Sequence, residues 1–147
     1  MTKLVETCAN SLMDTTPPIL QSIRVEMRRG RGSDISIPQF RTMRFIQQNP
    51  ESSLSELAEH LGLTLPSASK LIDGLVKQKL VTRKESAADR RRLTLMLTQT
   101  GTSIVDSARA SARIHLAEKL KHLSNADLEL ISHAMQILQP IFASQDT

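Results

Sequence analysis

Three consecutive arginines, Arg90, Arg91 and Arg92, stand directly before an alternating apolar run from Leu93 to Leu97, and they are the densest part of a wider bias. From Lys70 to Arg92 there are eight basic residues (Lys70, Lys77, Lys79, Arg83, Lys84, Arg90, Arg91, Arg92) against three acidic ones (Asp73, Glu85, Asp89). The chain's formal net charge is +4, so everything outside that segment sums to −1. Positive charge gathered in one short segment suits a polyanion, and nucleic acid is the usual one; a solvated face with an accidental bias is the plainer reading. Covalent and metal chemistry have less to work with. Serines, histidines and carboxylates occur, but without a glycine-rich phosphate loop, a nucleophile elbow or a cofactor fingerprint. His60, His115, His122 and His133 place no two imidazoles on one helical turn and form no zinc-type set with cysteine or carboxylate. Cys8 is the single cysteine, which excludes an intramolecular disulfide and fits a reducing compartment. The expectation is a protein that is not an enzyme and holds no cofactor and no metal.

The elements that must position the cations are helical. At 147 residues, with 39% hydrophobic and 23% charged residues, the chain has the size and balance of one globular domain. Three Phe, no Tyr and no Trp leave Leu, Ile, Val, Ala and Met to build the core, which favours packed helices over a large sheet. No apolar run reaches the roughly 18 to 20 residues of a membrane span, and the N-terminus lacks a basic segment followed by an apolar one. A cytoplasmic protein without membrane contact is expected.

Periodicity predicts a first helix from Lys3 to Met13 (Leu4, Val5, Cys8 and Leu12), interrupted from Asp14 to Pro18. A second helix is predicted to start at Pro17 or Pro18 and to run to about Arg29, with Leu20, Ile23 and Met27 on one face, ended by Gly30 and Gly32. Pro38 opens a third helix to about Gln48, presenting Phe40, Met43, and Ile46 or Phe45, and Asn49-Pro50 closes it. Ser53 and Glu56 have capping-box spacing before a short helix with Leu54, Leu57, Ala58 and Leu61. Gly62 supplies a turn, Thr64 an N-cap, and a helix to about Lys79 is predicted to bury Leu65, Ala68, Leu71 or Ile72, and Leu75.

Two helices joined by so short a glycine turn have the form of a helix-turn-helix. The outer face of the second reads Ser67, Lys70, Gly74, Lys77, small or basic throughout, which suits a helix entering a major groove. The interior Gly74 costs about 1 kcal/mol of helix stability relative to alanine, a cost that close approach to another surface or tight packing within the domain would offset. The period then changes to 2. Leu80 to Glu85 and Leu93 to Thr98 are short strands, the second with Leu93, Leu95 and Leu97 on one face, and residues 86–91 form the hairpin tip. The arginines therefore fall at or beside the tip of a two-stranded wing, within reach of a minor groove or the DNA backbone. Asp89, which DNA would repel, is placed to hold Arg91 by a bidentate pair.

Beyond the wing, a helix capped by Thr98 is predicted from Gln99 to about Leu123, with Ile104, Val105, Ala108, Ala112, Leu116, Leu120 and Leu123. Ser124 to Asp127 resembles a capping box for a last helix whose stripe is Leu128, Ile131, Met135 and Leu138, extended past Pro140 by Ile141 and Phe142. These terminal stripes need cover. A second copy supplies it, or the stripes pack on the chain's own central lobe.

Three stretches, ISIPQFRTMRFI (Ile35 to Ile46), LSELAEHLGLTLPSASKLIDGLVKQKLVTR (Leu54 to Arg83) and DRRRLTLMLTQTG (Asp89 to Gly101), strongly resemble the multiple-antibiotic-resistance regulator family, MarR, of winged-helix transcription factors. The Asp-x-Arg followed by apolar alternation and Leu-Thr-x-x-Gly is the specific part. The resemblance implies a mainly α fold with a small two-stranded β-wing, residues 35–98 forming the DNA-binding lobe and residues about 1–34 and 99–147 the dimerisation helices. It implies a homodimer, a major-groove helix at Leu65 to Lys79, a minor-groove arginine at Arg91 with its partner Asp89, and a ligand pocket between the dimer helices and the lobe.

The expected function is a sequence-specific transcriptional regulator binding double-stranded DNA at a pseudo-palindromic operator, more a repressor than an activator. A winged helix that compacts DNA without sequence preference, or that binds a protein, is the alternative. Recognition-helix candidates are Thr64, Pro66, Ser67, Ser69, Lys70 and Lys77; wing candidates are Arg83, Lys84, Asp89, Arg90, Arg91 and Arg92. Arg28 and Arg41 are the candidates for a pocket holding a small anionic or aromatic effector; Arg24, Arg28, Arg29 and Arg31 either line such a pocket or form a solvated face, the solvated face being the favoured reading. Cys8 is a peroxide sensor or a small residue on a dimer helix; the absence of tyrosine goes against the sensor. One departure stands out. Many members have glycine where this chain has Lys79, which must take a left-handed backbone or end its helix differently.

Overall fold

The structure is a computed structural model, and it describes residues 1–32, 34–85, 88 and 92–143. It divides into two compact units, Met1–Ala112 and Arg113–Thr147.

The first unit opens with α1 (Lys3–Arg31), a single helix capped by Thr2, whose hydroxyl accepts from the Val5 amide. The two predicted helices are thus one, with Pro17 and Pro18 inside it. A proline ring holds φ near the helical value, so the helix continues through the pair although each proline forgoes an amide hydrogen bond and crowds the carbonyl four residues before it. Gly30 also lies within α1; a Cβ there would sit 2.7 Å from Ala108 Cα, so the glycine is kept by close packing and Gly32 alone supplies the terminus.

α2 (Ile37–Gln48) begins with a complete capping box, Ser36 and Gln39 bonding each other's backbone amides, and buries Phe40, Thr42, Met43, Phe45 and Ile46. Next come β1 (Ser52–Ser53), α3 (Leu54–Leu61) and α4 (Leu65–Lys77). Gly62 takes the left-handed conformation between the two helices, at φ 66°. Then β2 (Val81–Glu85) and β3 (Leu93–Leu97) lead into α5 (Gln99–Leu120). β2 and β3 form the expected two-stranded wing, and among the described residues β1 adds a third strand to the sheet, in the order β1-β3-β2, all antiparallel. Two residues cannot display a period, which is why β1 escaped the sequence reading. Ser52 and Ser53 lie opposite Leu95 and Thr94, while β2 runs from Val81 opposite Leu97 to Glu85 opposite Leu93.

Being central, β3 is covered unevenly. Thr94 is buried and its hydroxyl donates to the Lys84 carbonyl at 3.2 Å, whereas Leu93, on the same face as the buried Leu95, is 51% exposed. The core gathers Phe40, Met43, Phe45, Ile46, Leu57, Ile72, Leu75, Leu80, Val81, Leu95, Val105 and Ala108. Each large apolar side chain fully buried there contributes about 1.5–3 kcal/mol.

Arg113–Thr147 holds the end of α5 and then α6 (Asn125–Ala143), capped by Ser124, whose hydroxyl accepts from the Asp127 amide at 3.1 Å. α6 continues through Pro140 to include Ile141 and Phe142, the residues expected to extend its stripe. It buries no residue, and Leu130, Met135, Ile137, Ile141 and Phe142 are all more than half exposed. Among the described residues, no helix is long and apolar enough to cross a membrane.

Candidate nucleic-acid interface

α4 is built to hold one face inward and leave the other clear. Thr64 caps it by accepting from the Ser67 amide at 3.3 Å, and Pro66 in the first turn has no amide to leave unsatisfied. Ala68, Ile72 and Leu75 are fully buried, which fixes the helix against the core. Leu65, expected with them, is 52% exposed, because it precedes the first full turn of the apolar stripe. Of the two residues left open in the sequence, Ile72 is the buried one and Leu71 is only partly covered. Ser67, Lys70 and Lys77 are exposed, Ser69 is half-buried, and the Thr64 hydroxyl donates to Ser67 Oγ at 2.9 Å, leaving Ser67 its own proton to donate.

Gly74 is the residue on which that face turns. A Cβ added there would meet only Gln39 Nε2, at an ordinary 3.7 Å. Packing within the lobe therefore does not require glycine at position 74.

The wing candidates divide. Lys84 is exposed on β2. Arg83, also on β2, forms an ion pair with Asp73 of α4, and Arg92, just before β3, forms one with Glu56 of α3. Neither pairing was foreseen from the sequence, where Asp73 entered only the charge balance. Glu56 had been expected to reach back to its own cap; Ser53 does accept from the Glu56 amide at 3.2 Å, but the carboxylate goes to Arg92. Asp89, Arg90 and Arg91 lie outside the described residues.

Lys79 settles its open question by adopting φ 60°, the left-handed conformation that glycine would take without strain. The turn is held from the far side of the wing. Thr98 donates its amide to the Leu80 carbonyl at 3.0 Å and its hydroxyl to the Lys79 carbonyl at 2.8 Å, and that same hydroxyl accepts from the Gly101 amide at 3.1 Å. The Leu-Thr-x-x-Gly sequence is therefore a latch between the start of α5 and the turn that follows α4.

Arg28 and Arg41 meet in one cavity of about 670 Å³ between α1 and α2, closed by His60 and Leu61 of α3. Arg24, Arg31 and Arg44 also line it, over an apolar floor that includes Met27, Ile37, Phe40 and Phe45. His60 packs on Phe45 with ring centroids 4.6 Å apart. Arg31 Nε is buried without a hydrogen-bond partner. Burial, and then the neighbouring Arg109, push the Arg44 guanidinium below its ordinary pKa, against the pull of Asp106. Arg44 and Asp106 are joined through Gln47, which accepts from Arg44 at 2.9 Å and donates to Asp106 at 2.8 Å. Arg29 points elsewhere, to Glu26 at 3.0 Å. Cys8 is exposed on α1, and among the described residues no group of three His, Cys, Asp or Glu side chains is arranged to hold a metal.

Residues 33–92 match a MarR family model. The chain is 27% identical over 105 residues to the HTH-type transcriptional regulator YfiV of Bacillus subtilis, covering 71% of this chain and 66% of that protein. It is 22% identical over 105 residues to the HTH-type transcriptional repressor IacR of Pseudomonas putida, covering 71% and 63%. Both alignments thus span a little under two thirds of the relative's own length. Among solved structures, the transcriptional regulator Tm0710 of Thermotoga maritima superposes with a TM-score of 0.78 at 20% identity, over 91% of this chain and 95% of that one. These relatives are transcriptional regulators, not enzymes.

Proposed function

We propose that this chain is a DNA-binding transcriptional regulator of the MarR kind, a reading supported by the match of residues 33–92 to a MarR family model and by its likeness to HTH-type transcriptional regulators, and that it acts as a homodimeric, ligand-responsive repressor with one α4 helix in each half of a pseudo-palindromic operator. The observation that carries the reading is the outer face of α4. Ser67, Lys70 and Lys77 stand exposed on a helix whose other face is locked by Ala68, Ile72 and Leu75. Hydroxyls and amines at that spacing serve base edges and phosphates in a major groove, and the held inner face makes the approach angle reproducible. Arg90 and Arg91 are assigned to the minor groove, and Lys84 to phosphate.

The dimer is inferred from unsatisfied apolar surface. α6 buries nothing, and α1 exposes Leu4, Met13, Ile19 and Leu20, so a second copy is the simplest cover for both. The arginine-lined cavity is the candidate effector site, with guanidiniums for an anion and aromatic rings for its body.

Selection of duplexes from a randomised library by the purified protein tests the reading. Enrichment of an inverted repeat supports the sequence-specific dimer. Salt-sensitive binding without a motif would favour a DNA-compacting role, and no binding would favour a protein partner. For the cavity, Arg28→Gln and Arg41→Gln are compared with wild type for release of DNA by a panel of aromatic acids; unchanged release removes these residues from an effector site.

A further inference from the structure

Two ion pairs at the base of the wing join each helix of the helix-turn-helix to a residue of the wing. Asp73 on α4 holds Arg83 on β2, ten residues on, and Glu56 on α3 holds Arg92 before β3, 36 residues on. Each helix of the helix-turn-helix is therefore tied to one arm of the wing. Nearer partners were available. Lys70 and Lys77 stand three residues before and four after Asp73 on its own helix, and Glu56 sits in the first turn of α3, where its own cap and the helix dipole favour a carboxylate. All four side chains are more than a third exposed. Pairs so placed add little to stability, and a phosphate oxygen competes for the guanidinium on nearly equal terms.

We propose that Asp73 and Glu56 are positioning residues that set operator discrimination: each carboxylate braces a wing arginine against a reading helix and withholds it from DNA phosphate until operator contacts favour the exchange. The proposal rests on the DNA-binding reading. Its physical basis is that non-specific affinity comes almost wholly from phosphate neutralisation, whereas operator binding adds base contacts that can offset the loss of an ion pair. Neutralising two arginines therefore lowers binding to random sequence more than binding to the operator.

The experiment uses the full chain, the duplex enriched from the randomised library, and a shuffled duplex of the same composition, titrated at several salt concentrations. Asp73→Asn is expected to bind the shuffled duplex several-fold more tightly, to steepen the salt slope by about 0.9 for one phosphate gained, and to lose discrimination. Asp73→Glu, which keeps the pair, retains the wild-type ratio. The deciding comparison repeats Asp73→Asn in an Arg83→Gln background, where the gain disappears if Asp73 acts through Arg83. An equal gain in both backgrounds would mean that Asp73 merely repels DNA, and no gain would mean that Arg83 is not withheld; either overturns the proposal. Glu56→Gln is tested against Arg92→Gln in the same way. Should Asp73→Asn fail to fold by circular dichroism, the pair is structural and the proposal fails. Should wild type bind neither duplex, the DNA-binding reading itself fails.

Discussion

Thr98 reaches across the wing to hold Lys79, its hydroxyl donating to the Lys79 carbonyl at 2.8 Å while its amide donates to Leu80 at 3.0 Å. The residue that follows β3 thereby fixes the backbone that follows α4, and Lys79 is kept at φ 60° although it is not glycine. A left-handed non-glycine residue costs about 1–2 kcal/mol.

Lys79→Gly should recover part of that strain. Set against the extra freedom of glycine in the unfolded chain, the net gain is about 0.5–1 kcal/mol, or a rise in melting temperature of about 2 °C at fixed protein concentration. A fall in the melting temperature would show that Thr98 and its neighbours hold Lys79 without appreciable strain.

Gly101→Ala should behave in the opposite way. Its Cβ would lie 2.3 Å from the Leu80 carbonyl oxygen, a backbone atom that the Thr98 amide also holds. Separating the start of α5 from that turn should destabilise the protein by about 3 kcal/mol, read as a lowered urea midpoint. A midpoint equal to wild type would mean that the latch yields freely.

Gly74→Ala separates folding from binding. With only Gln39 Nε2 nearby, at 3.7 Å, the added methyl fits, and removing an interior helix glycine should stabilise the fold by about 0.5–1 kcal/mol. If glycine is kept so that the α4 backbone can approach DNA, the more stable variant will bind the selected duplex less tightly. Unchanged affinity would leave Gly74 without a role at the DNA.

Arg91→Ala should weaken binding to every duplex and lower the salt slope by about 0.9, the signature of one lost phosphate contact. A loss confined to one sequence would instead mark a base contact, and no loss would remove Arg91 from the interface.

The helix-turn-helix was legible because its signals are local. Ser53, Gly62 and Thr64 each act within four residues, and the Ala68, Ile72, Leu75 stripe repeats within one helix. The left-handed Lys79 was foreseen as one of two outcomes, since the helix had to end there. What stayed hidden depends on distant partners. No periodicity reports that Asp73 belongs to Arg83 or Glu56 to Arg92, or that the two residues of β1 would find Leu95 and Thr94. Pro17 and Pro18 read as a break because proline reports a missing donor, and nothing local shows that the helix continues past it. The pocket was half visible. Arg24, Arg28 and Arg31 recur at helical spacing, but only the packing of α2 against α1 brings Arg41 and Arg44 to face them.

Thr98 is also the single residue between β3 and α5, so no flexible connection separates the wing from the long helix behind it. With Gly101 seated on Leu80, a change in the direction of the start of α5 would bear on β3 and on the turn after α4 together. If α4 and the wing read DNA as proposed, a displacement at the start of α5 would tilt both as one body, making release a matter of leverage more than of local unfolding.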